Sequence, residues 1–285
     1  MQLTNVLNLP QPLETAIVGF EKGYQSGRGD TKISVTQLIQ PPMLKRLTDL
    51  HWNEIEEDVS ERIWLLIGSA IHGILEKSAG LNVLVEERLF TEVRGWRVSG
   101  QADLYEPNGT LSDYKVTSIW SVKDEPKKEW EQQLNVLAYL YELAGFEVKK
   151  LQIVAILRDW SKGKSFQVDI PAPVKVIPIT KWSREEVLKF LDERVALHQL
   201  AAQTDPENIP PCSADERWSK PSTYAVMKHG RKSAVKVYDD LGEANAAASA
   251  DPVNLYVEDR PGQDVRCEQY CPVNKWCPFY LRTHK

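Results

Sequence analysis

The sequence predicts a mixed α/β fold, and three observations carry that expectation. From Glu61 to Glu76 the apolar residues Ile63, Leu66, Ile67, Ile71, Ile74 and Leu75 recur at helical spacing, the pattern of an amphipathic helix. Three strand-like runs follow: Val83 to Phe90, Trp96 to Tyr105, and Thr110 to Thr117. The last two are joined by Pro107-Asn108-Gly109, a hairpin turn signal. Glu129 to Ala144 then returns to helical periodicity through Trp130, Leu134, Leu137 and Tyr141. Gly145 stands where a left-handed C-terminal cap belongs. Leu151 to Leu157, apolar except for Gln152, reads as a strand buried on both faces. The expected order is helix, three strands, helix, strand, which is a mixed sheet flanked by helices.

The remaining segments are placed around that core. Residues 1–60 read as a polar N-terminal extension, with a short helix after Ser34-Val35-Thr36 that Pro41-Pro42 breaks. A further helix spans Ser183 to about Ala202, and the proline-bearing stretch Thr204 to Pro211 reads as a linker. Beyond it, Thr223 to Met227 and Ala234 to Tyr238 flank the basic turn Lys228-His229-Gly230-Arg231-Lys232. Asp240 and Glu243 have capping-box spacing before an alanine-rich helix. The sequence therefore predicts an extension (1–60), a core (61–205), and a C-terminal region (206–285) holding a small strand-strand-helix appendage.

Composition narrows the function classes. A chain of 285 residues with 42% apolar and 26% charged residues is ordinary for a globular protein, which excludes disorder, collagen and coiled coil. No apolar run reaches the roughly 18–20 residues that span a bilayer, since Ile63 to Leu75 is broken by Gly68, Ser69 and His72, so no membrane partner is expected. Met1-Gln2-Leu3-Thr4-Asn5 lacks the blocks of a secretory signal, and the expected location is cytoplasmic. The net charge of −5 argues against a general nucleic-acid coat and leaves room for a local basic groove.

The chemistry is concentrated in Gly100-Gln101-Ala102-Asp103 and Asp113-Tyr114-Lys115. Asp113 and Lys115, two apart on a strand, share a face. If Pro107-Asn108-Gly109 is a three-residue loop with Gly109 left-handed, Glu106 pairs with Thr110 and Asp103 falls opposite Asp113. A two-residue Asn-Gly loop would put Asp103 opposite Tyr114 instead. Two facing carboxylates repel by up to about 1 kcal/mol, so a cation is expected between them, and hard divalent ions such as Mg²⁺ or Mn²⁺ suit the oxygen donors. The Lys115 ammonium beside them suits activation of a water or neutralisation of phosphate charge. The bland alternative is a turn aspartate next to an exposed ion pair.

These residues, in this order, resemble the PD-(D/E)XK nuclease superfamily and within it the RecB-like exonuclease branch. Gly68-Ser69-Ala70-Ile71-His72 is similar to the branch's Gly-x-x-x-His helix, Gly100 to Asp103 to its Gly-x-x-Asp strand, and Asp113 to Lys115 to its Asp/Glu-x-Lys. Gln133 and Tyr139 stand for the glutamine and tyrosine of the following helix, and Ser112-Asp113 replaces Pro-Asp. The resemblance covers about residues 60–160. It implies a restriction-endonuclease-like core, metal ligation by His72, Asp103 and Asp113, a catalytic Lys115, and a Gln133 that places Lys115 or the substrate. Glu87 is a further candidate ligand, with Glu86 beside it.

Cys267, Cys271 and Cys277 form Cys-x3-Cys-x5-Cys, with Cys212 upstream as a fourth thiol, a pattern that points to a metal rather than to disulfides in a chain of this kind. RecB-like nucleases that carry an iron-sulfur cluster end in a similar tail. In their better-known members the first ligand precedes the core, whereas Cys212 follows it here. The resemblance implies a structural [4Fe-4S] cluster. Zinc held by the same four cysteines is the alternative cofactor, and unligated thiols are the remaining reading.

For a polyanionic substrate the basic runs are Lys123-Lys127-Lys128, Arg158-Lys162-Lys164 and Lys228-Arg231-Lys232-Lys236. Trp120, Trp130 and Trp160 are candidates to stack on unpaired bases. The expected function is a Mg²⁺- or Mn²⁺-dependent deoxyribonuclease, an exonuclease on single-stranded or end-processed DNA. The resemblance implies a setting of recombination or repair, phage or prokaryotic, with a recombinase, helicase or single-strand-binding protein as partner. The alternatives are a catalytically silent DNA-binding module and a metal-stabilised recruiting scaffold.

Overall fold

Two tight turns organise the strands that bear on function. The computed structural model describes residues 1–26, 30–78, 80 and 82–284. The chain divides into two units, Met1–Gln40 with Trp52–Gln203, and Pro41–His51 with Thr204–Lys285. In chain order the elements are β1 (Gln2–Thr4), α1 (Gln11–Ser26), β2 (Ile33–Ser34), α2 (Val35–Leu38), α3 (Pro42–His51, in the second unit), β3 (Glu56–Asp58) and α4 (Ile63–Ser78). Next come β4 (Arg88–Val93), β5 (Trp96–Gln101), β6 (Leu104–Tyr105), β7 (Thr110–Thr117), α5 (Lys128–Leu143), β8 (Lys150–Leu157), α6 (Lys162–Val168), β9 (Val174–Ile179) and α7 (Arg184–Gln203).

The β4–β5 turn is Arg94-Gly95, with φ of 51° and 74°. Two successive residues with positive φ match the right-handed twist of a tight hairpin, and they set the register Val93↔Trp96 through Arg88↔Gln101. The β6–β7 turn has Gly109 at φ 85°, and the Glu106 N–H donates to the Thr110 carbonyl at 3.0 Å. Leu104 then pairs with Ser112, and Tyr105 with Leu111. This is the three-residue loop and register expected from the sequence.

β7 runs parallel to β8, and α5 makes the crossover that a parallel pair requires. β9 lies antiparallel on the far edge, giving the order β6-β7-β8-β9. A second sheet, β2-β5-β4, is tied to the first by the bridge between Leu84 and Tyr105. α5 is buried on every side from Leu134 to Tyr141, as a helix enclosed by other elements must be. It packs so closely on β5 that a Cβ at Gly100 would lie 2.5 Å from Leu137, 2.7 Å from Leu140 and 2.8 Å from Val35.

Several expectations need adjustment. The run Val83 to Phe90 pairs only through the Leu84 bridge until β4 begins at Arg88, and Trp96 to Tyr105 is interrupted at Ala102-Asp103. β8 is not buried on both faces: Leu151, Ile153, Ala155 and Leu157 are buried, and Gln152, Val154 and Ile156 only half so. β9 has no counterpart in the sequence reading because it contains Pro178, which an edge strand tolerates. Ser34 caps α2 through a reciprocal box with Gln37, and Pro42 then opens α3.

In the second unit, α8 (Ala214–Arg217) and β10 (Ser219–Lys220) lead to β11 (Thr223–Lys228), β12 (Lys236–Tyr238), α9 (Leu241–Ala248) and β13 (Leu255–Arg260). β14 (Gln263–Asp264), α10 (Val265–Gln269) and α11 (Pro278–Thr283) complete it. The expected strand-strand-helix appendage is a three-stranded antiparallel sheet, order β12-β11-β13. The added strand, Leu255–Arg260, ends in the charged run Glu258-Asp259-Arg260. α9, capped by the Asp240 carboxylate accepting from the Glu243 N–H, packs Ala244 and Ala248 on Val226. Residues 41–51 group with this unit rather than with the N-terminal stretch: Met43 and Leu47 are buried, and His51 stacks on Trp276 at 4.3 Å.

Candidate active site

Both hairpins converge on one rung. Extending the β4–β5 ladder two residues past Arg88↔Gln101 sets Glu86 opposite Asp103. Extending the β6–β7 ladder one residue past Leu104↔Ser112 sets Asp103 opposite Asp113. Three carboxylates from three segments thus reach one place, and α4 brings His72 to it.

The side chains sort into two linked groups. His72 Nδ1 lies 3.3 Å from Asp103 Oδ1 and 3.7 Å from Glu86 Oε1, and one donor atom from each of the three residues falls within 4.8 Å of the others. Glu86 reaches this position from a left-handed backbone, φ 51°, and its second oxygen accepts from the Gln101 amide. Asp103 Oδ2 accepts from the Tyr114 N–H at 2.5 Å, and the Tyr114 ring meets His72 edge-on at 6.2 Å.

The second group is Asp113, Lys115 and Gln133. Lys115 Nζ lies 2.6 Å from Asp113 Oδ2 and donates to Gln133 Oε1 at 3.1 Å, while Gln133 Nε2 donates to Asp113 Oδ1 at 3.0 Å. Gln133 fixes both partners because one end of its amide accepts and the other donates. The Asp113 carboxyl is only 3% exposed, Lys115 25%. Tyr114, whose N–H binds Asp103, lies between Asp113 and Lys115 in the chain, so the two groups share a backbone.

The electrostatics reflect crowded acids. His72 is pushed up to about 10, first by its hydrogen bond to Asp103 and then by Glu86, against the opposing effect of burial. Asp113 is raised above the ordinary carboxylate range, chiefly by burial, with Lys115 pulling it down and Asp103 pushing it up. Tyr141, beneath them on α5, is raised by burial and then by Glu87, Glu86 and Asp103. An imidazole beside two carboxylates, with a third carboxylate near enough to feel their charge, is a donor set for a hard or borderline divalent cation.

Among the expected site residues, His72, Asp103, Asp113, Lys115 and Gln133 come together. Asp113 stands outside the tight trio, because its oxygens are engaged by Gln133 and Lys115; Glu86 takes the third place in it. Glu87, the acid preferred on the sequence, is exposed, being one residue off the rung. Tyr139 is not at the site: six residues from Gln133 along α5 it points elsewhere, with the Arg184 guanidinium 5.7 Å from its ring centre. Trp130 is buried, and Trp160 is half-buried with its N–H on the Ile170 carbonyl, so neither offers a free face, whereas Trp120 is 48% exposed. The sequence reading passed over Trp64, 49% exposed two turns before His72 on α4, with the Arg158 guanidinium 4.3 Å over its ring.

The four cysteines lie in the second unit with no disulfide among them. Cys212 is pushed up to about 12 by burial, then by Glu216 and by the three other sulfurs. Burial and then Cys271 push Cys267 up to about 11, and Cys271 is raised by burial and by Cys277. Near these cysteines in the chain, the Trp218 and Tyr270 rings meet at 5.5 Å, and Arg217 lies 4.5 Å over the Phe279 ring.

No described helix is long and apolar enough to cross a membrane. No protein-family model matches the chain, and no curated protein matches it. Among solved structures it is similar to SSO0001, at 17% identity and a TM-score of 0.48 over 65% of this chain and 86% of that one. It is also similar to a protein described as "Putative exonuclease" from Eubacterium rectale, at 13% identity and a TM-score of 0.33 over 71% of this chain and 87% of that one.

Proposed function

We propose that this chain is a divalent-metal-dependent deoxyribonuclease of the RecB-like kind, an exonuclease on single-stranded or end-processed DNA. One observation carries the reading: Lys115 and Gln133 hold a buried Asp113 next to the His72–Glu86–Asp103 trio, and a single backbone N–H, that of Tyr114, locks the two groups together. A structural ion pair needs neither the second carboxylate pair nor the histidine.

In this reading His72, Glu86 and Asp103 hold Mg²⁺ or Mn²⁺, with Asp113 facing them as a further donor. The ion supplies Lewis-acid stabilisation of charge on the scissile phosphate. Lys115 Nζ, steered by the Gln133 carbonyl oxygen, orients the attacking water and offsets the negative charge that builds on phosphate oxygens. Gln133 keeps Asp113 from swinging onto the lysine alone. The exposed Trp64–Arg158 pair and Trp120 supply stacking faces for unpaired bases in the same unit. Cys212, Cys267, Cys271 and Cys277 hold a structural [4Fe-4S] cluster, with zinc as the competing occupant.

The test is digestion of end-labelled single- and double-stranded DNA with Mn²⁺ or Mg²⁺ by the intact protein, Asp113→Asn and Lys115→Ala. Each substitution should lower the rate about 100-fold or more, the scale set by loss of one transition-state contact. Undiminished cleavage in both variants would remove the site; absence of cleavage by every form would favour a silent binding module.

A further inference from the structure

The chain carries net charge −5, yet residues 228–236 hold Lys228, Arg231, Lys232 and Lys236 without one carboxylate among them. All four are exposed, and among the described residues none makes an ion pair; the Arg231 guanidinium donates to the hydroxyl of Ser233 at 2.9 Å. They occupy one end of the β12-β11-β13 sheet. β11 ends at Lys228, β12 starts at Lys236, and Lys228 pairs with Leu255 at the start of β13. A loop that needed only solubility would mix its charges, since like charges side by side cost free energy.

Two rings stand near these cations, on opposite faces of the sheet. His229 and Tyr256 lie with centroids 4.9 Å apart and planes 30° apart, and the Lys236 ammonium is 4.5 Å from the Tyr238 ring centre. Tyr256 is 38% exposed, and Val235 and Val237 beside the turn are 50% and 44% exposed. Alternation along the strands puts Tyr238 and Lys236 on the face that α9 closes together with Tyr224, Val226 and Val257, and Tyr256 on the open face, so the exposed ring lies beside the hairpin end. Cations that hold a backbone and a neighbouring ring that presents a face are the two components of single-strand nucleic-acid binding. An acidic peptide would use the cations and leave the stacked ring without a task.

We propose that the hairpin end of this sheet is a second contact for single-stranded nucleic acid. Lys228, Arg231, Lys232 and Lys236 take phosphates, and Tyr256, braced by His229, takes a base. The proposal rests on the nuclease reading only for the identity of the strand as substrate. It gives the second unit the task of gripping a polymer that the first unit cuts.

The experiment measures binding apart from cutting. The full chain carrying Asp113→Asn is titrated into a fluorescent oligothymidylate across a series of salt concentrations. With Lys228, Arg231, Lys232 and Lys236 all changed to Ala, the slope of log affinity against log salt should become shallower by about 2–3, at roughly 0.7 per phosphate contact. Tyr256→Ala should weaken binding about tenfold at fixed salt, with Tyr256→Phe unchanged, because only the ring face is used. Replacing the three lysines by Arg keeps charge and should keep the slope, which separates lost contacts from lost folding. Unaltered affinity and slope in the quadruple variant would overturn the proposal, as would equal competition by polyglutamate. On the chain with Asp113 intact, cleavage of a tetranucleotide should survive the quadruple change. Absence of cleavage by the unaltered chain, with salt-dependent binding retained, would count against the nuclease site alone.

Discussion

At the scale of residues, single atoms decide what the site is. Gly100 opens the Gly-x-x-Asp segment, and the structure gives it a packing role: a Cβ there would lie within 2.8 Å of Leu137, Leu140 and Val35. Gly100→Ala should therefore destabilise the protein by about 1–3 kcal/mol, the cost of overpacking a filled core, read as a lower urea midpoint at unchanged slope. His72 yields a pH prediction. Its pKa is raised to about 10 without an ion, so its ion pair contributes stability below its ordinary 6.5, and that contribution is lost as pH rises through about 10. Ligation needs the neutral ring, so Mn²⁺ must displace one proton. Affinity should rise about tenfold per pH unit between 7 and 9, with proton release detectable by calorimetry in buffers of different ionisation heat. A pH-independent affinity would exclude His72 as a ligand.

At the scale of elements, turn chemistry sets the site. The loop Pro107-Asn108-Gly109 gives the rung Asp103–Asp113, and Gly109 sits at φ 85° with the Glu147 carbonyl 2.8 Å from where a Cβ would be. Gly109→Val should cost about 1–3 kcal/mol from the strained φ and the crowded carbonyl. Deleting Asn108 should do more damage to function than to stability, because a one-residue slip swings Asp113 off the face it shares with Asp103. Loss of cleavage with a preserved far-ultraviolet spectrum is the expected outcome, and retained cleavage would show that the register is not required. The same counting makes Glu86 readable. A two-residue Arg94-Gly95 turn fixes Val93 opposite Trp96, and seven residues back along the strand Glu86 faces Asp103 while Glu87 faces Ala102. The Arg-Gly dipeptide is a weaker hairpin signal than Asn-Gly, and a sequence reading that did not use it had no basis for choosing between adjacent glutamates.

At the scale of the molecule, the two units carry different chemistries, oxygen donors in one and thiols in the other. On the proposal that the four thiols hold a metal, Cys212→Ser should release it, iron or zinc, and destabilise the second unit. The expected readouts are loss of visible absorption in anaerobically purified protein and earlier cleavage within residues 204–285 under limited proteolysis. Unchanged metal content would show that Cys212 is not a ligand. The assignment of Pro41–His51 to this unit was not legible in the sequence, where Pro41-Pro42 marked only a break. Its reason is tertiary, the burial of Met43 and Leu47 and the stacking of His51 on a tryptophan 225 residues away.

The succession of helix, strands, helix and strand between Ile63 and Leu157, the β6–β7 register and the grouping of Asp113 with Lys115 were determined by the sequence alone, because helical period, strand parity and loop length act over a few residues. Which glutamate faces His72, where Tyr139 points, and that an edge strand with a proline completes the sheet were decided by tertiary structure. Those outcomes depend on how separate ladders and a buried helix stack, and no local pattern encodes a distance between segments that meet only after folding.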